Sequence, residues 1–273
     1  MRQAKWASPG SDSHGRSPWQ IARSVWFALF MREAIARTMA NRMGWFWMIA
    51  EPAAIVLIFV WIRAFIRGGR LIINAEFIPW LVVGLIGFFM VRDALLRGMG
   101  AVDANRALFA YRQVLPVDPV LVRITLEGML RTIILLLFIG GAWMLDINII
   151  PDYALGAMVW WLSLWFLGLA LGLITSVAGT LVPEIATVVR MLSWPLLILS
   201  GVIIPLHNFP RWILEYLMYN PIVHGLELLR AAFFHGYVVV PGTSAHYFWM
   251  FTLTAATLGL LLHLRFQSKL KVQ

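Results

Sequence analysis

Long apolar runs alternate with short, polar and mostly basic segments along this chain. Six runs stand out: Trp45–Ile66, Phe77–Gly98, Val120–Leu145, Tyr153–Leu181, Val188–Ile204 and Ala245–Leu264. A helix rises about 1.5 Å per residue and the hydrocarbon core of a bilayer is about 30 Å thick, so roughly 20 mainly apolar residues span it. The pattern predicts an all-α polytopic membrane protein with six transmembrane helices over residues 44–264. The fifth run is the shortest, and Pro195 and Gly201 blur its ends. Residues 19–43 follow a different rule. Ile21, Val25, Leu29, Ala36, Met39 and Met43 fall on one helical face, and Gln20, Arg23, Arg37, Thr38 and Asn41 on the other, with Arg32 intruding on the apolar side. A helix of that pattern lies in the membrane interface with its basic face toward water. Packing against another protein domain is the alternative.

Composition agrees with the pattern. The chain is 61% hydrophobic and 13% charged, with a mean hydropathy of +0.80, beyond what a soluble globular domain carries. Charge then sets the orientation. Seven Lys and Arg precede the first run, five lie from Arg92 to Arg123, one is Arg190 and three follow the last run. The opposite side receives Arg63, Arg67, Arg70, Arg211 and Arg230. The positive-inside rule therefore puts both termini in the cytoplasm. The net charge of +9 finds its partner in anionic headgroups and requires no nucleic acid. Residues 1–18 read as a flexible cytoplasmic tail without the apolar core of a signal peptide, and residues 265–273 as a second tail.

Cysteine is absent, which removes disulfides and thiolate metal sites. Gly10–Ser17 imitates the spacing of a phosphate-binding loop, but Arg16 stands where its Lys belongs, Pro18 follows, and no apolar strand precedes it. Neither HExxH, GxSxG nor a paired-Asp metal motif occurs, and no two His residues have metal-ligand spacing.

Charged residues inside the runs are the costly ones, because an ionisable group in a span faces a protein interior or a water-filled path. Glu51 stands beside Pro52, which marks a helix break. Arg92, Asp93 and Arg97 close the second run, and Arg123, Glu127 and Arg131 recur at four-residue intervals, setting a carboxylate between two guanidiniums on one face. Two readings are open: an interhelical ion-pair network, or a polar wall along a transport route. Arg63, Arg67 and Arg70 share about one face on the outer side, as headgroup anchors or as a basic mouth for an acidic substrate. Trp45, Trp47, Trp61, Trp80, Trp143, Trp160, Trp161, Trp165 and Trp249 lie in the runs, many near their ends, as an aromatic belt requires, and some could stack on sugar rings. Gly168 and Gly172 form a small-xxx-small pair suited to close helix contact.

Three local patterns converge on a known family. The run Arg32-Glu33-Ala-Ile-Ala-Arg37, continuing through Arg42, Gly44 and Trp47 to Glu51-Pro52, resembles the opening of polysaccharide exporter permeases. Ser200-Gly201-Val-Ile-Ile-Pro205-Leu with Phe209-Pro210 resembles their turn after the fifth span, and Asn220-Pro221 with Glu227 and Arg230 resembles the element before their last span. From about Trp19 onward the chain looks like the membrane subunit of a type-2 ABC exporter for capsular polysaccharide, and the first motif is shared with permeases for O-antigen and teichoic acid.

The resemblance implies a homodimer paired with two copies of a cytoplasmic ATPase, which would bind the ATP and Mg for which this chain has no site. It implies a coupling segment at residues 102–118, where Arg106, Tyr111 and Arg112 would meet that ATPase. Residues 205–241 would dip back into the membrane from the periplasm, as their four prolines and retained apolar residues also suggest. The cargo would be a lipid-linked acidic polysaccharide crossing the bacterial inner membrane. A periplasmic adaptor and an outer-membrane channel would complete the route. A membrane enzyme acting on lipid-linked sugars would need convergent acid–base residues, and a secondary transporter would show repeated halves. The sequence displays neither.

Overall fold

The computed structural model describes residues 18–39, 43–67, 76–111 and 113–272. These residues form helices and turns, with no strand among them. Helix α1 (Pro18–Met39) precedes α2 (Gly44–Arg67) and α3 (Phe77–Met99). A short 3-10 helix, Asp103–Ala110, leads into α4 (Val117–Trp143), α5 (Ala154–Leu181) and α6 (Pro183–Leu199). Two short helices, α7 (Arg211–Leu217) and α8 (Pro221–Phe233), come before α9 (Ala245–Val272). By length and composition, α3, α5 and α9 can each cross a membrane.

Several boundaries depart from the sequence expectation. α2 runs through Pro52 without a break. Proline at that position removes only the bond to the Met48 carbonyl, and the turns on either side remain intact. The fifth run begins earlier, where Pro183 starts α6 at a position that suits its fixed φ, and it stops at Leu199. Gly201 takes a left-handed φ of 66° and turns the chain there. The expected C-terminal tail continues α9 as helix to Val272.

α3 is the axis of the molecule. From Trp80 to Val91 every residue is buried, because α2, α4, α5, α6 and α8 all pack around it. Its closest approach is to α5, where small residues let the backbones meet. A Cβ added to Gly98 would stand 3.0 Å from the Gly172 Cα, and one on Gly168 would stand 3.3 Å from the Val91 Cα. The Gly168/Gly172 pair therefore does the work its spacing predicts. Outward faces stay apolar: Leu136, Leu137 and Trp143 on α4, Met158 and Leu162 on α5, and Met191 and Leu192 on α6 are exposed. Contiguous apolar surface of this kind is what lipid contact requires. A second apolar cluster sits at the other end of the helices from α8. It joins Leu29 of α1, Val102, Phe109 and Val114 around the 3-10 helix, Val120 of α4 and Leu270 of α9.

Candidate functional site

Two polar centres grip α3 at different heights, and both contain residues singled out by sequence. The first ties α8 to α3 and to the turn after α6. Asn220 caps α8, its side-chain oxygen accepting from the Ile222 amide at 3.0 Å, and Pro221 occupies the first helical position. The Asn220 amide also donates to Ser200 Oγ at 2.9 Å, so the two family motifs meet in space. Nearly three helical turns on, Arg230 lies fully buried with its guanidinium 3.7 Å from the Trp80 ring centre. It donates to the carbonyls of Gly201 (2.9 Å) and Val202 (3.3 Å) and to Glu227 (3.2 Å). Glu227 also accepts from the Tyr237 hydroxyl at 3.1 Å and from the Val240 amide at 3.2 Å. Burial pushes the Tyr237 phenol up to about 12, so it keeps its proton and donates, while Trp80 Nε1 donates to its oxygen at 3.2 Å. Gly84 leaves the room that the guanidinium occupies. Arg230, counted by sequence as an outer-side charge, is thus an interior tie rather than a surface group.

The second centre gathers α1, α2, α3 and α4. Arg92 donates to Glu51 of α2 at 3.1 Å and to Asp93 at 3.0 Å, and it lies over Phe89 and Trp194. Arg131 of α4 pairs with Asp93 and, at 3.4 Å, with Glu127. Glu127 is also approached by Arg37 of α1 at 3.6 Å and Arg97 of α3 at 3.9 Å. Four guanidiniums here share three carboxylates, and Nε of Arg37 and one terminal nitrogen each of Arg92 and Arg131 are buried without a hydrogen-bond partner. Burial pulls the Arg37 guanidinium below its ordinary value, against the pull of Glu127. Exposure grades outward, from Arg131 at 3% to Glu51 at 35% and Arg97 at 46% of the side chain. The cluster therefore reaches the surface through Glu51 and Arg97.

The four-residue ladder expected on α4 divides. Glu127 meets Arg131, but Arg123 turns away to Glu33 of α1, to which it donates at 2.7 and 3.1 Å, and to the Gly100 carbonyl. The cause is α1, which lays Glu33 and Arg37 alongside α4 and exchanges the partners. Sequence reasoning placed Arg37 on a water-facing side and gave Glu33 no role; their four-residue spacing on α1, matched to Arg123 and Glu127 on α4, is the cue that was available. Tryptophans were also under-read. Trp161 donates to Thr132 at 2.8 Å and Trp165 to the Ile124 carbonyl at 3.3 Å, so these rings lock α5 to α4.

The segment 102–118 holds the eight-residue 3-10 helix, on which Arg106 pairs with Asp103 at 2.9 Å and Tyr111 is exposed. Arg112 and Arg70 lie outside the described residues, as do the side chains of Arg63 and Arg67, whose backbones end α2. No three His, Cys, Asp or Glu side chains come together as a metal site among the described residues.

The buried knot and the arginine-rich cluster hold together a helical bundle whose outer faces are apolar. The family model for ABC-2 type transporters matches residues 24–234. The chain belongs to that family. It is 35% identical over 248 residues to the polysialic acid transport protein KpsM of Escherichia coli, covering 91% of this chain and 95% of that one. Against the capsule polysaccharide export inner-membrane protein CtrC of Neisseria meningitidis serogroup B it is 30% identical over 234 residues, with 83% and 86% covered. Against the capsule polysaccharide export inner-membrane protein BexB of Haemophilus influenzae it is 28% identical over 246 residues, with 90% and 92% covered. Membership agrees with the expectation of a transport subunit and implies a partner ATPase that handles the ATP.

Proposed function

We propose that this chain is the inner-membrane permease of an exporter that carries capsular polysaccharide out of the bacterial cytoplasm. One observation carries the reading: the likeness to three capsule or polysialic acid transport proteins from three organisms runs nearly end to end. A lipid-linked acidic glycan suits the chain's chemistry, since guanidiniums outnumber carboxylates in the cluster at α1–α4 and pair well with carboxylate and phosphate. Six spans with both termini in the cytoplasm fit the basic-residue bias. The cluster that joins Leu29 of α1 and Leu270 of α9 to the 3-10 helix supports that arrangement, because α1 and the end of α9 then lie beside the segment assigned to ATPase contact.

Two copies would form the path, with a periplasmic adaptor and an outer-membrane channel beyond it. Arg106, Tyr111 and Arg112 would meet the ATPase, α7 and α8 would dip in from the periplasm, and Arg63, Arg67 and Arg70 would guide the glycan outward. Expression in a capsule-forming strain that lacks its own permease tests the proposal, with surface polysaccharide as the readout. Restored surface polysaccharide supports it. A chain that inserts and binds the ATPase, yet leaves the polysaccharide inside while restoring another glycan, refutes the cargo.

A further inference from the structure

A groove runs between α1 and α4 beside the centres already described. Two ties hold the helices together on one face of α1: Trp26 Nε1 donates to Asp118 Oδ1 at 3.0 Å, and seven residues on, Glu33 accepts from Arg123. Next to the first tie, Ala22, Trp26 and Phe30 line one wall at four-residue steps. Val122, Thr125 and Met129 line the other, on one face of α4. The small side chain of Ala22 leaves the space, about 660 Å³, within the roughly 300–1,000 Å³ of ligand sites. From Asp118 to Met129 the groove follows about 16 Å of helix rise, enough for most of one acyl chain.

Its mouth is polar. Arg23 lines the groove and also a second, smaller cleft with Gln20 and Ser24 on the same helix. Asp118, the carboxylate in the lining, is turned to the protein: its oxygens accept from Trp26 and, at 2.8 Å, from the Leu115 amide. A single cation lining an apolar trough matches an anionic amphiphile, with phosphate or glycerol oxygens at Arg23 and a tail against Phe30 and Met129. We propose that this groove holds an anionic phospholipid of the bilayer, which fastens α1 to the bundle at the membrane surface. The inference rests on α1 lying in the interface, and headgroup attraction of a basic residue there adds to apolar burial.

The test uses the full chain, isolated with its ATPase partner, in nanodiscs of phosphatidylethanolamine and phosphatidylglycerol. Each lipid in turn carries a photoreactive group on one acyl chain, and labelled peptides are mapped by mass spectrometry. The phosphatidylglycerol probe should label the peptides holding Phe30, Val122 or Met129. Ala22→Trp, which fills the trough, should cut that labelling about tenfold, and Arg23→Gln should lower it by a similar factor while the phosphatidylethanolamine probe is unaffected. Thr125→Phe fills the groove from α4 and decides the matter should Ala22→Trp fail to fold. Equal labelling by both lipids, or labelling that survives a filled groove, overturns the proposal. Displacement of the label by equimolar lipid-linked glycan also overturns it, since the groove would then hold cargo. An unmutated chain that labels as expected yet fails to restore export would touch the transport function alone.

Discussion

Arg230 and Arg131 are both buried arginines against α3, each with a carboxylate on its own helix, yet their surroundings differ in kind. Around Arg230, two carbonyls, an aromatic face, a tyrosine hydroxyl and a backbone amide complete the pair with Glu227, at distances of 2.9–3.3 Å apart from the ring. Around Arg131, pairing is shared among four guanidiniums, distances stretch to 3.9 Å at Arg97, and buried N–H groups lack partners. At Arg230 a single nitrogen, Nε, is buried without a partner, whereas in the cluster three are, spread over Arg37, Arg92 and Arg131. A nearly satisfied network has one low-energy arrangement, while one with several unpaired donors has several of similar energy and exchanges partners at little cost. The first is therefore a structural clasp for α3, α8 and the turn after α6. On the proposed function, the second is where an acidic cargo or a helix movement would substitute one partner for another.

Breaking the clasp should have the largest effect. Arg230→Leu leaves Glu227 charged in the interior, and removing one partner of a buried pair costs about 3–5 kcal/mol. The variant should melt far below the parent in detergent and fall in membrane abundance. Changing Glu227→Gln together with Arg230→Met should recover part of that loss, because the uncompensated charge is gone. Gly84→Ala sharpens the point without altering any charge. Its methyl group would meet a guanidinium held on several sides, at a cost of about 1–3 kcal/mol, seen as a lowered melting temperature.

The cluster should respond differently. Glu127→Gln leaves Arg131 with Asp93 and Arg92 with Glu51, so stability should fall less than in Arg230→Leu, while export at matched protein level drops about tenfold, the equivalent of about 1.4 kcal/mol in rate. Arg123→Gln removes the mostly buried tie to Glu33 and the bond to the Gly100 carbonyl, together worth about 1 kcal/mol. It should show as faster proteolysis within α1 at nearly unchanged melting temperature. The smallest change is expected for Arg63, Arg67 and Arg70 together replaced by Gln, with slower export of an acidic polymer and normal insertion; Lys at all three should cost less, since the charge remains and only the planar fork is lost. Unchanged surface polysaccharide in the Gln triple would return these residues to headgroup anchoring.

Helix positions were legible because period and run length carry them, and the Gly168/Gly172 contact because small residues at that spacing have one common use. The knot was visible in its parts: Asn220, Pro221, Glu227 and Arg230 stood out, but their partners in Trp80, Tyr237 and the Gly201 carbonyl lie far away in sequence. Side-chain pairing across helices depends on rotation about each axis, which a single chain's pattern leaves free. That is why Arg123 was paired with Glu127 rather than with Glu33. Pro52 was over-read for the opposite reason, since one lost backbone bond weakens a helix without ending it when neighbours hold both halves.

The comparison is decided most directly by two conservative changes measured side by side. Glu127→Gln and Glu227→Gln each remove one negative charge and keep the side chain's shape. Folded protein, from a melting curve of the purified chain, and surface polysaccharide, from complemented cells at matched abundance, would be recorded for both. The account predicts that Glu127→Gln keeps most of its folded protein and loses export, while Glu227→Gln loses folded protein and export in proportion. Normal export by Glu127→Gln, or a fully stable Glu227→Gln that fails to export, would contradict it.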